Sequence, residues 1–462
     1  MGPRYAAVMV ARPHVLALLL GPLALAGACG DNDSDQATAD TLDESGINLT
    51  FTGTDTAQDD DGDETEDLLD VGADTDGPDP TAGGDCPGGG GTTNDDDAYS
   101  IIWIANSPEG TVSKIDTRTE TELARYLSGP APGGTDDPSR TSVNLSGDVA
   151  VTNRSGSVTK IASVPENCVD SNANGVIDTS SGADDVKAWG EDECVLWHLP
   201  LGGDGNNTHG PRPTAWDGGA GASGGNCAGP DENLWVGFWD AVGNNGEFRR
   251  IDGKTGVIVD SVSVPLWNSG GTDYGPYGGA VDGDGNLWAI GLWENLVRID
   301  AQTLEVQRWS VPEGAEPYGI AIDAQGRPWT AGWSGMITRF DPATAQFETI
   351  VTSNGRRMRG LQVDRDGTVW IAANNPCGAI SVDVDSMAII DENIALPECV
   401  GPVGVSIDVD GSVWLPDREG NKAYKLNPTT LQSTTITGLV GPYTYSDMTG
   451  AGLGLVVDPP VG

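Results

Sequence analysis

Basic residues, histidines and long hydrophobic runs are scarce in this chain of 462 residues. It has 24 Lys and Arg against 69 Asp and Glu, which gives a formal net charge of −45 at pH 7. This negative charge argues against nucleic acid or an anionic membrane surface as a partner. No apolar run reaches the roughly 18 residues that a transmembrane helix needs. No Cys-x-x-Cys motif occurs among the 7 cysteines, which argues against zinc or redox chemistry.

Glycine and tryptophan, by contrast, are plentiful. The chain has 66 Gly and 14 Trp but only 5 Phe. This composition favours many short strands joined by tight turns over helical domains. The length is also more than one ordinary domain requires.

The first 28 residues have the pattern of an export signal. Arg4 and Arg12 precede an apolar stretch, 15–26, that has the length of a signal-peptide core and is too short to span a bilayer. Small residues before Cys29 resemble a bacterial lipobox, so we expect Cys29 to become the lipidated first residue. The alternative is an ordinary cleaved signal with an incidental cysteine. We expect the bacterial cell envelope as the location, as an outer-membrane or surface lipoprotein that touches the membrane through its lipid anchor only.

Residues 29–98 form an acidic linker. Between Asp31 and Asp97 there are 22 acidic residues and no Lys or Arg. Such a segment cannot bury enough apolar surface to offset its conformational entropy, so we expect it to be disordered. It is either a stalk that holds the folded part off a membrane or a solvated tail without a specific ligand.

The rest of the chain, 99–455, is a repeat array. The segment Pro276–Trp288 recurs at 317–329, 359–370 and 402–414, and the final tryptophans are 41, 41 and 44 residues apart. A period near 40 residues with four short strand-like runs per unit is typical of a β-propeller. We expect the four repeated tryptophans to pack between neighbouring blades.

A second motif sets the number of blades. The pattern apolar-x-Lys/Arg-apolar-Asp, as in Val297–Asp300, occurs in seven versions along the chain. The first unit starts abruptly at Ile101, and its missing first strand resembles the segment 441–447. The sequence therefore predicts an all-β, seven-bladed propeller whose C-terminal strand, Tyr443 to Asp447, closes the first blade and removes an open sheet edge.

The repeat Pro-x-Gly-Ile-Ala-x-Asp-x-x-Gly-x-x-Trp resembles those of virginiamycin B lyase-like propellers and their relatives with NHL-type repeats. The resemblance covers roughly residues 99–450. It implies a lyase that opens a cyclic depsipeptide by elimination, with a His base and a second His near a bound Mg²⁺. This chain has His only at His14, His198 and His209, so no catalytic residue is matched by motif. A lyase or hydrolase with metal-assisted chemistry is the alternative function; His209 is its candidate catalytic residue, against a purely structural role.

One face of the predicted ring collects candidate ligand-binding residues. In a propeller, the loops that enter first strands and those that leave second strands open on the same face. The candidates on this face are Trp239, Tyr277, Trp293, Tyr318, Trp333, Arg359, Asn374, Asp417 and Tyr443. Aromatic faces beside polar groups suit a small molecule, a saccharide or a peptide, and the same face could instead dock a protein. The alternative is that these residues only pack on neighbouring loops. We expect a monomer.

Three arginines, Arg356, Arg357 and Arg359, lie together in one entry loop. In an acidic protein such a group is suited to a carboxylate or a phosphate. The alternative is local charge balance with Asp364 and Asp366.

An insertion at 163–195 in the second blade carries a calcium-like loop. Oxygen ligands stand at positions 1, 3, 5, 7 and 9 of the loop, with Gly at position 6, where a sharp turn is needed. These ligands are Asp170, Asn172, Asn174, Val176 through its carbonyl, and Asp178. Position 12 is Ser181 and not the usual Glu. The loop is thus either a Ca²⁺ site or a plain Asx-rich turn.

The cysteine spacing supports export. Cys168 with Cys194 and Cys377 with Cys399 are natural local pairs, and the first pair would staple the insertion. Cys86 and Cys227 remain, and their pairing is left open.

Overall fold

The computed structural model describes residues 100–131, 135–201, 208–219, 232–268, 274–353 and 355–460. The expected signal peptide, the lipidation of Cys29, the acidic linker and the two remaining cysteines, Cys86 and Cys227, lie outside these residues and stay predictions. Among the described residues, no helix is long and apolar enough to cross a membrane.

Seven antiparallel sheets follow one another along the described chain, which confirms the predicted all-β, seven-bladed propeller. Blades one to three contain β1 (Ile101–Asn106), β2 (Thr111–Asp116), β3 (Thr121–Leu127); β4 (Pro138–Val143), β5 (Val149–Asn153), β6 (Ser157–Ile161), β7 (Val195–Pro200); and β8 (Thr214–Trp216), β9 (Asn233–Asp240), β10 (Asn245–Asp252), β11 (Ile258–Val264). Blades four and five contain β12 (Gly278–Val281), β13 (Leu287–Ile290), β14 (Asn295–Ile299), β15 (Val306–Ser310); and β16 (Pro317–Ile322), β17 (Pro328–Gly332), β18 (Met336–Asp341), β19 (Gln346–Val351). Blades six and seven contain β20 (Arg357–Val363), β21 (Thr368–Asn374), β22 (Gly378–Asp383), β23 (Ile389–Ile394); and β24 (Ser406–Ile407), β25 (Val413–Asp417), β26 (Lys422–Leu426), β27 (Ser433–Thr437).

The first strands of successive blades line the central channel. Each of β4, β8, β12, β16 and β20 contacts the first strand of the next blade. The two ends of the channel are distinguished by the loops that lie there. We call the end with the loops that enter first strands the mouth, and the other end the lower end.

The repeated tryptophans are buried, as predicted, and each has the same partner. Trp288, Trp329, Trp370 and Trp414 are at most 3% exposed. Each indole N–H donates to the carboxylate of the aspartate six residues earlier, at 2.7 to 2.9 Å. This pairing explains the aspartate of the repeat, because a buried indole N–H needs an acceptor.

The segment 441–448, here called the closing segment, runs beside β1 as the sequence predicts. Tyr443 N donates to Ala105 O at 3.0 Å, and Trp103 N donates to Met448 O at 2.9 Å. The two ends of the propeller therefore meet in blade one, which leaves no open first blade.

The closing segment is less regular than the predicted strand. Ala105 N donates to the side-chain hydroxyl of Thr444 at 2.9 Å. A side-chain oxygen thus replaces a backbone carbonyl in the ladder, and the segment forms one isolated bridge, Asn106 with Pro442, instead of a continuous strand.

A short helix that the sequence analysis did not predict follows the closing segment. It is α1 (Ala451–Val457), and it contacts β12, β16 and β24 at the lower end of the channel. The half-buried Asp447 carboxylate accepts hydrogen bonds from Gly450 N at 2.8 Å and Leu453 N at 3.1 Å. Burial raises the pKa of Asp447 although these backbone bonds oppose the change. Asp447 thereby fixes the start of the helix.

Both predicted disulfides are present. Cys168 is bonded to Cys194 at the base of the insertion, and Cys377 is bonded to Cys399 in blade six. Disulfides persist in oxidising compartments, so they indicate a non-cytoplasmic, secreted protein.

Candidate functional site

Four tyrosines fill the channel at the mouth, and we call them the tyrosine cluster. Tyr277, Tyr318, Tyr443 and Tyr445 are all buried, and the ring centroids of the neighbouring pairs 277–318, 318–445 and 443–445 are 4.9 to 5.1 Å apart. The Tyr443 hydroxyl lies 2.5 Å from the Tyr318 hydroxyl and 3.3 Å from the Tyr277 hydroxyl. The closing segment supplies two of the four rings, so ring closure also builds this cluster.

Five guanidinium groups surround the tyrosine cluster, and we call them the arginine set. They come from four blades, on entering first strands or on turns that leave second strands. The distances from Cζ to a ring centroid are 3.0 Å for Arg140 on Tyr445, 4.9 Å for both Arg154 and Arg418 on Tyr443, 5.4 Å for Arg212 on Tyr277, and 5.8 Å for Arg359 on Tyr318. These distances are those of cation–π contacts.

Arg140 carries a buried charge without a carboxylate partner among the described residues. Arg140 is only 2% exposed. Its guanidinium group donates to the main-chain carbonyl of Tyr445 at 3.2 Å and to that of Tyr277. Burial lowers the pKa of Arg140, and the tyrosine hydroxyls are the groups that oppose this shift. A buried cation is costly unless an anion compensates it, so the mouth favours negative charge.

Two members of the arginine set do have carboxylate neighbours. Arg154 pairs with Asp137, and Arg418, which is exposed, has Glu419 at 3.9 Å. Three further guanidinium groups share the mouth with them. Among the described residues, five guanidinium groups thus gather at one end of a strongly acidic protein.

Tyr443 is the one tyrosine of the cluster whose pKa is lowered by its surroundings. Burial alone would raise the pKa of its hydroxyl. The Arg154 charge, the hydrogen bonds with Tyr277 and Tyr318 and the Arg140 charge together lower the pKa to about 8. A Tyr443 anion would compensate the neighbouring guanidinium charges.

The other three tyrosines of the cluster shift in the opposite direction. Burial raises the pKa of Tyr445 to about 12 and those of Tyr277 and Tyr318 well above 10.0. Tyr443 thus differs from the other three tyrosines in the direction of its pKa shift.

The predicted aromatic residues lie at the mouth, but they differ in exposure. Trp293 and Trp333 are 39% and 38% exposed, and Trp333 stacks on Tyr318 with ring centroids 5.7 Å apart. Trp239 packs against His209 in an edge arrangement at 4.9 Å. Both exposed indoles offer flat apolar surface at the mouth, and Trp333 does so next to Tyr318 of the tyrosine cluster.

The predicted polar residues of this face are mostly engaged within the protein. Asn374 is 8% exposed and donates to Pro402 O at 3.3 Å. Asp417 has no exposed surface and accepts Val400 N at 2.9 Å and Gly401 N at 2.8 Å. These contacts hold the loops of the mouth together, and a role of either residue in ligand binding stays a prediction.

The three clustered arginines point to different partners. Arg356 is buried and donates to Pro376 O at 3.1 Å, Arg357 lies over Trp333, and Arg359 lies over Tyr318. Asp364 lies in a lower-end turn, where it accepts the Trp370 indole N–H. No ion pair joins the three arginines to that turn within the described ranges.

Four arginines of the site were missed from the sequence, although alignment of the repeats places three of them. Arg212 stands where Tyr277 and Tyr318 stand in their blades. Arg154 and Arg418 stand where Trp333 stands. Asp417, which we named from the sequence, directly precedes Arg418. Arg140 occupies a place held by glycine in the regular repeats, so no repeat signal marks it.

The two described histidines lie in different places. His209 lies at the mouth beside Trp239. His198 lies on the outer strand β7, where its Nδ1 is 2.9 Å from Thr159 Oγ1 and its ring meets Trp189 edge-on. Burial lowers the pKa of His198. A catalytic role for His209 stays a prediction.

The residues of the mouth do not fit the Mg²⁺ that the lyase resemblance implies. A hard divalent cation needs oxygen ligands, but five guanidinium groups occupy this end of the channel. The buried Asp417 carboxylate is already held by backbone N–H groups. We therefore derive no metal-assisted step at this site.

The calcium-like loop brings its oxygen-bearing side chains together. Asp178 Oδ2 lies 3.0 Å from the amide nitrogens of both Asn172 and Asn174, and Asp170 accepts Asn174 N at 3.1 Å. The Glu193 carboxylate closes the loop by accepting Asn172 N at 3.1 Å. Within the described ranges, no group of three or more His, Cys, Asp or Glu side chains is placed to hold a metal, and in this loop asparagines stand between the carboxylates.

Fold and site together define a seven-bladed β-propeller whose mouth gathers tyrosines and arginines. No family model matches the sequence, and no curated protein matches it. Among solved structures, a candidate 6-phosphogluconolactonase from Bacteroides fragilis NCTC 9343 is 12% identical, with a TM-score of 0.51 over 76% of this chain and 99% of that one. Virginiamycin B lyase from Staphylococcus aureus is 15% identical, with a TM-score of 0.46 over 66% and 85%. A streptogramin B lyase is 12% identical, with a TM-score of 0.49 over 75% and 92%. The structural neighbours thus include virginiamycin B lyase-like proteins, and at these identities the likeness is one of fold alone.

Proposed function

We propose that this protein binds a small anionic ligand at the mouth of the propeller. The observation that carries the proposal is Arg140, a buried guanidinium without a carboxylate partner among the described residues, which lies within a set of five arginines. In a chain with a net charge of −45, such a concentration of positive charge needs a reason.

The rim of the mouth suggests the chemistry of the ligand. Arg418 is exposed and Arg359 is half-buried, so both are accessible from solvent. Planar guanidinium groups bind carboxylates and phosphates through paired hydrogen bonds. Trp293 and Trp333 offer flat apolar walls beside them. These features favour a planar or aromatic molecule that carries a carboxylate or a phosphate.

Binding of phenyl phosphate and benzoate to the full chain, measured by calorimetry, tests the proposal. Benzyl alcohol is the neutral control ligand. We expect Arg359→Gln and Arg418→Gln each to weaken anion binding about tenfold, because a hydrogen bond to a charged group contributes about 1.5–3 kcal/mol. Arg365→Gln, at the lower end of the channel, is the matched control and should bind as the wild type does. Equal binding of benzyl alcohol, or no effect of the two rim variants, would refute the anion site.

We also propose that the insertion loop binds Ca²⁺ through Asp170, Asn172, Asn174, Asp178 and the carbonyl of Val176. The support is the ligand spacing and the convergence of these side chains in the loop. Ca²⁺ should raise the unfolding temperature of the full chain, by linkage of binding to folding. The double variant Asp170→Ala with Asp178→Ala should remove the rise, whereas Asp284→Ala, in a blade turn, should keep it. If Ca²⁺ raised the unfolding temperature of the double variant by the same amount, the loop would be a plain Asx-rich turn and not a Ca²⁺ site.

We further propose that Cys29 anchors the protein to the cell envelope through a lipid. The support is the sequence pattern before Cys29, together with two disulfides typical of an exported protein. In the cell that makes it, the wild type should sediment with membranes, and Cys29→Ser should appear mostly in the soluble fraction. An unchanged distribution would support the ordinary cleaved signal instead.

A further inference from the structure

The lower end of the channel holds a cavity that shares no residue with the mouth. We call it the lower cavity, and its volume is about 320 Å³. It lies between α1 and the turns that join the first and second strands of blades two, six and seven. Ligand pockets begin at about this size.

Much of the wall of the lower cavity is aliphatic. Four parts of the fold contribute to it: the turns of blades two, six and seven, and one side of α1. The aliphatic residues are Leu145, Val363, Ile407, Val409, Ala451, Leu455 and Val457. Val409 is 46% exposed, so apolar surface faces the opening. This wall suits the apolar body of a ligand.

The charged groups of the lower cavity are mainly negative. Four carboxylates, those of Asp364, Asp366, Asp408 and Asp458, and one guanidinium, that of Arg365, line it. Asp364 and Asp408 are buried and accept indole N–H groups, and Lys425 Nζ lies 3.8 Å from Asp408 Oδ2. Arg365 Nη2 is already paired with Asp458 Oδ2 at 3.1 Å. The lower cavity therefore differs from the mouth in the sign of its charge and favours a cation.

A glycine in α1 keeps the lower cavity open. Gly454 lines the cavity, and no atom lies within 4 Å of the place that a Cβ would occupy there. Glycine inside a helix costs about 1 kcal/mol relative to alanine. A larger side chain at this position would fit the helix and would fill the space that a ligand needs.

We propose that the lower cavity binds a small amphiphilic cation, a molecule with an apolar body and an ammonium group. The aliphatic wall would receive the body, and the exposed Asp366 carboxylate, in a mainly acidic surround, would attract the charge. This site is independent of anion binding at the mouth, because the two sites share no residue.

Calorimetric titration of the full chain with hexyltrimethylammonium, hexanol and hexanoate tests the proposal. We expect the cation to bind at least tenfold more tightly than hexanol, and hexanoate to bind most weakly. Gly454→Leu should abolish binding of the cation while the unfolding temperature stays equal or rises. Asp366→Asn should weaken cation binding several-fold and leave hexanol unchanged.

Two controls separate the lower cavity from other sites. Asp284→Asn changes the equivalent turn position of blade four and should leave cation binding unchanged, as should Arg359→Gln at the mouth. Gly454→Ala provides a milder block, with weaker binding expected, should Gly454→Leu fold poorly. Equal affinity for hexanoate and the cation, or full binding by a folded Gly454 variant, would overturn the proposal.

Discussion

A chain that ends after Val440 is expected to lose cooperative unfolding altogether. The truncation removes the closing segment and α1, and with them the buried side chains of Tyr443, Tyr445, Met448 and Leu455. Each such side chain contributes about 1.5–3 kcal/mol when fully buried. Together they account for much of the about 5–15 kcal/mol by which a typical protein is stable. The truncation also exposes the first sheet at its inner edge.

Urea unfolding followed by tryptophan fluorescence measures this loss. A chain that ends after Asp458 is the matched control, because it keeps the closing segment, α1 and the Asp458 that pairs with Arg365. The control should unfold at the wild-type urea concentration. A cooperative transition at the same midpoint in the chain that ends after Val440 would show that blade one does not need its C-terminal partner.

Tyr443 is expected to ionise near pH 8, because its hydroxyl binds a proton about a hundredfold more weakly than that of an ordinary tyrosine. The ordinary pKa is 10.0, and the neighbouring Arg154 and Arg140, with the hydrogen bonds from two tyrosines, lower it against the effect of burial. The ultraviolet absorbance of phenolate, recorded against pH, should show one tyrosine titrating near pH 8. Tyr443→Phe should remove this step.

The matched control is Tyr445→Phe, which removes a buried hydroxyl whose pKa is raised to about 12. This variant should keep the step near pH 8. The absence of any tyrosine ionisation below pH 9 in the wild type would contradict the arrangement of charges at the mouth.

The sign of the pH dependence follows from the direction of the shift. Because the folded-state pKa of Tyr443 lies below the unfolded value, its ionisation contributes stability that is fully present above about pH 10 and is lost as the pH falls through about 8. Tyr277, Tyr318 and Tyr445 act in the opposite direction at higher pH, since burial raises their pKa values. The Tyr443 anion would also compete with a bound anion, so anion affinity should fall above pH 8 in the wild type but not in Tyr443→Phe.

The fold was predictable because the same buried Trp–Asp pair recurs in successive repeats. Each Trp at the end of the repeat needs burial and an acceptor, and the aspartate six residues earlier supplies the acceptor. The spacing of these pairs set the period. The closing role of 441–447 followed from the first unit, which lacks its entering run. The helix α1 escaped prediction because two of its seven residues are glycine and its first turn depends on hydrogen bonds to Asp447, an aspartate that the sequence analysis assigned to the closing strand.

The site was only partly predictable. Tyr277, Tyr318 and Tyr443 stand at a repeated position, so their common location could be read from the sequence. Arg140 and Tyr445 could not be located in this way, because their place depends on how an irregular closing segment meets a divergent second blade. The gathering of five arginines at one end of the propeller is a property of the assembled structure, and the net charge of the chain does not reveal it.

Hydrogen exchange of the full chain, followed by mass measurement of peptides, tests the central claim most directly. The claim is that the closing segment completes the ring and carries two tyrosines of the site into the channel. Because Tyr443 N and Trp103 N are bonded across this junction, amides of 441–448 should exchange as slowly as those of β1. Exchange of the closing segment many times faster than that of β1 would contradict both the closure and the site built on it.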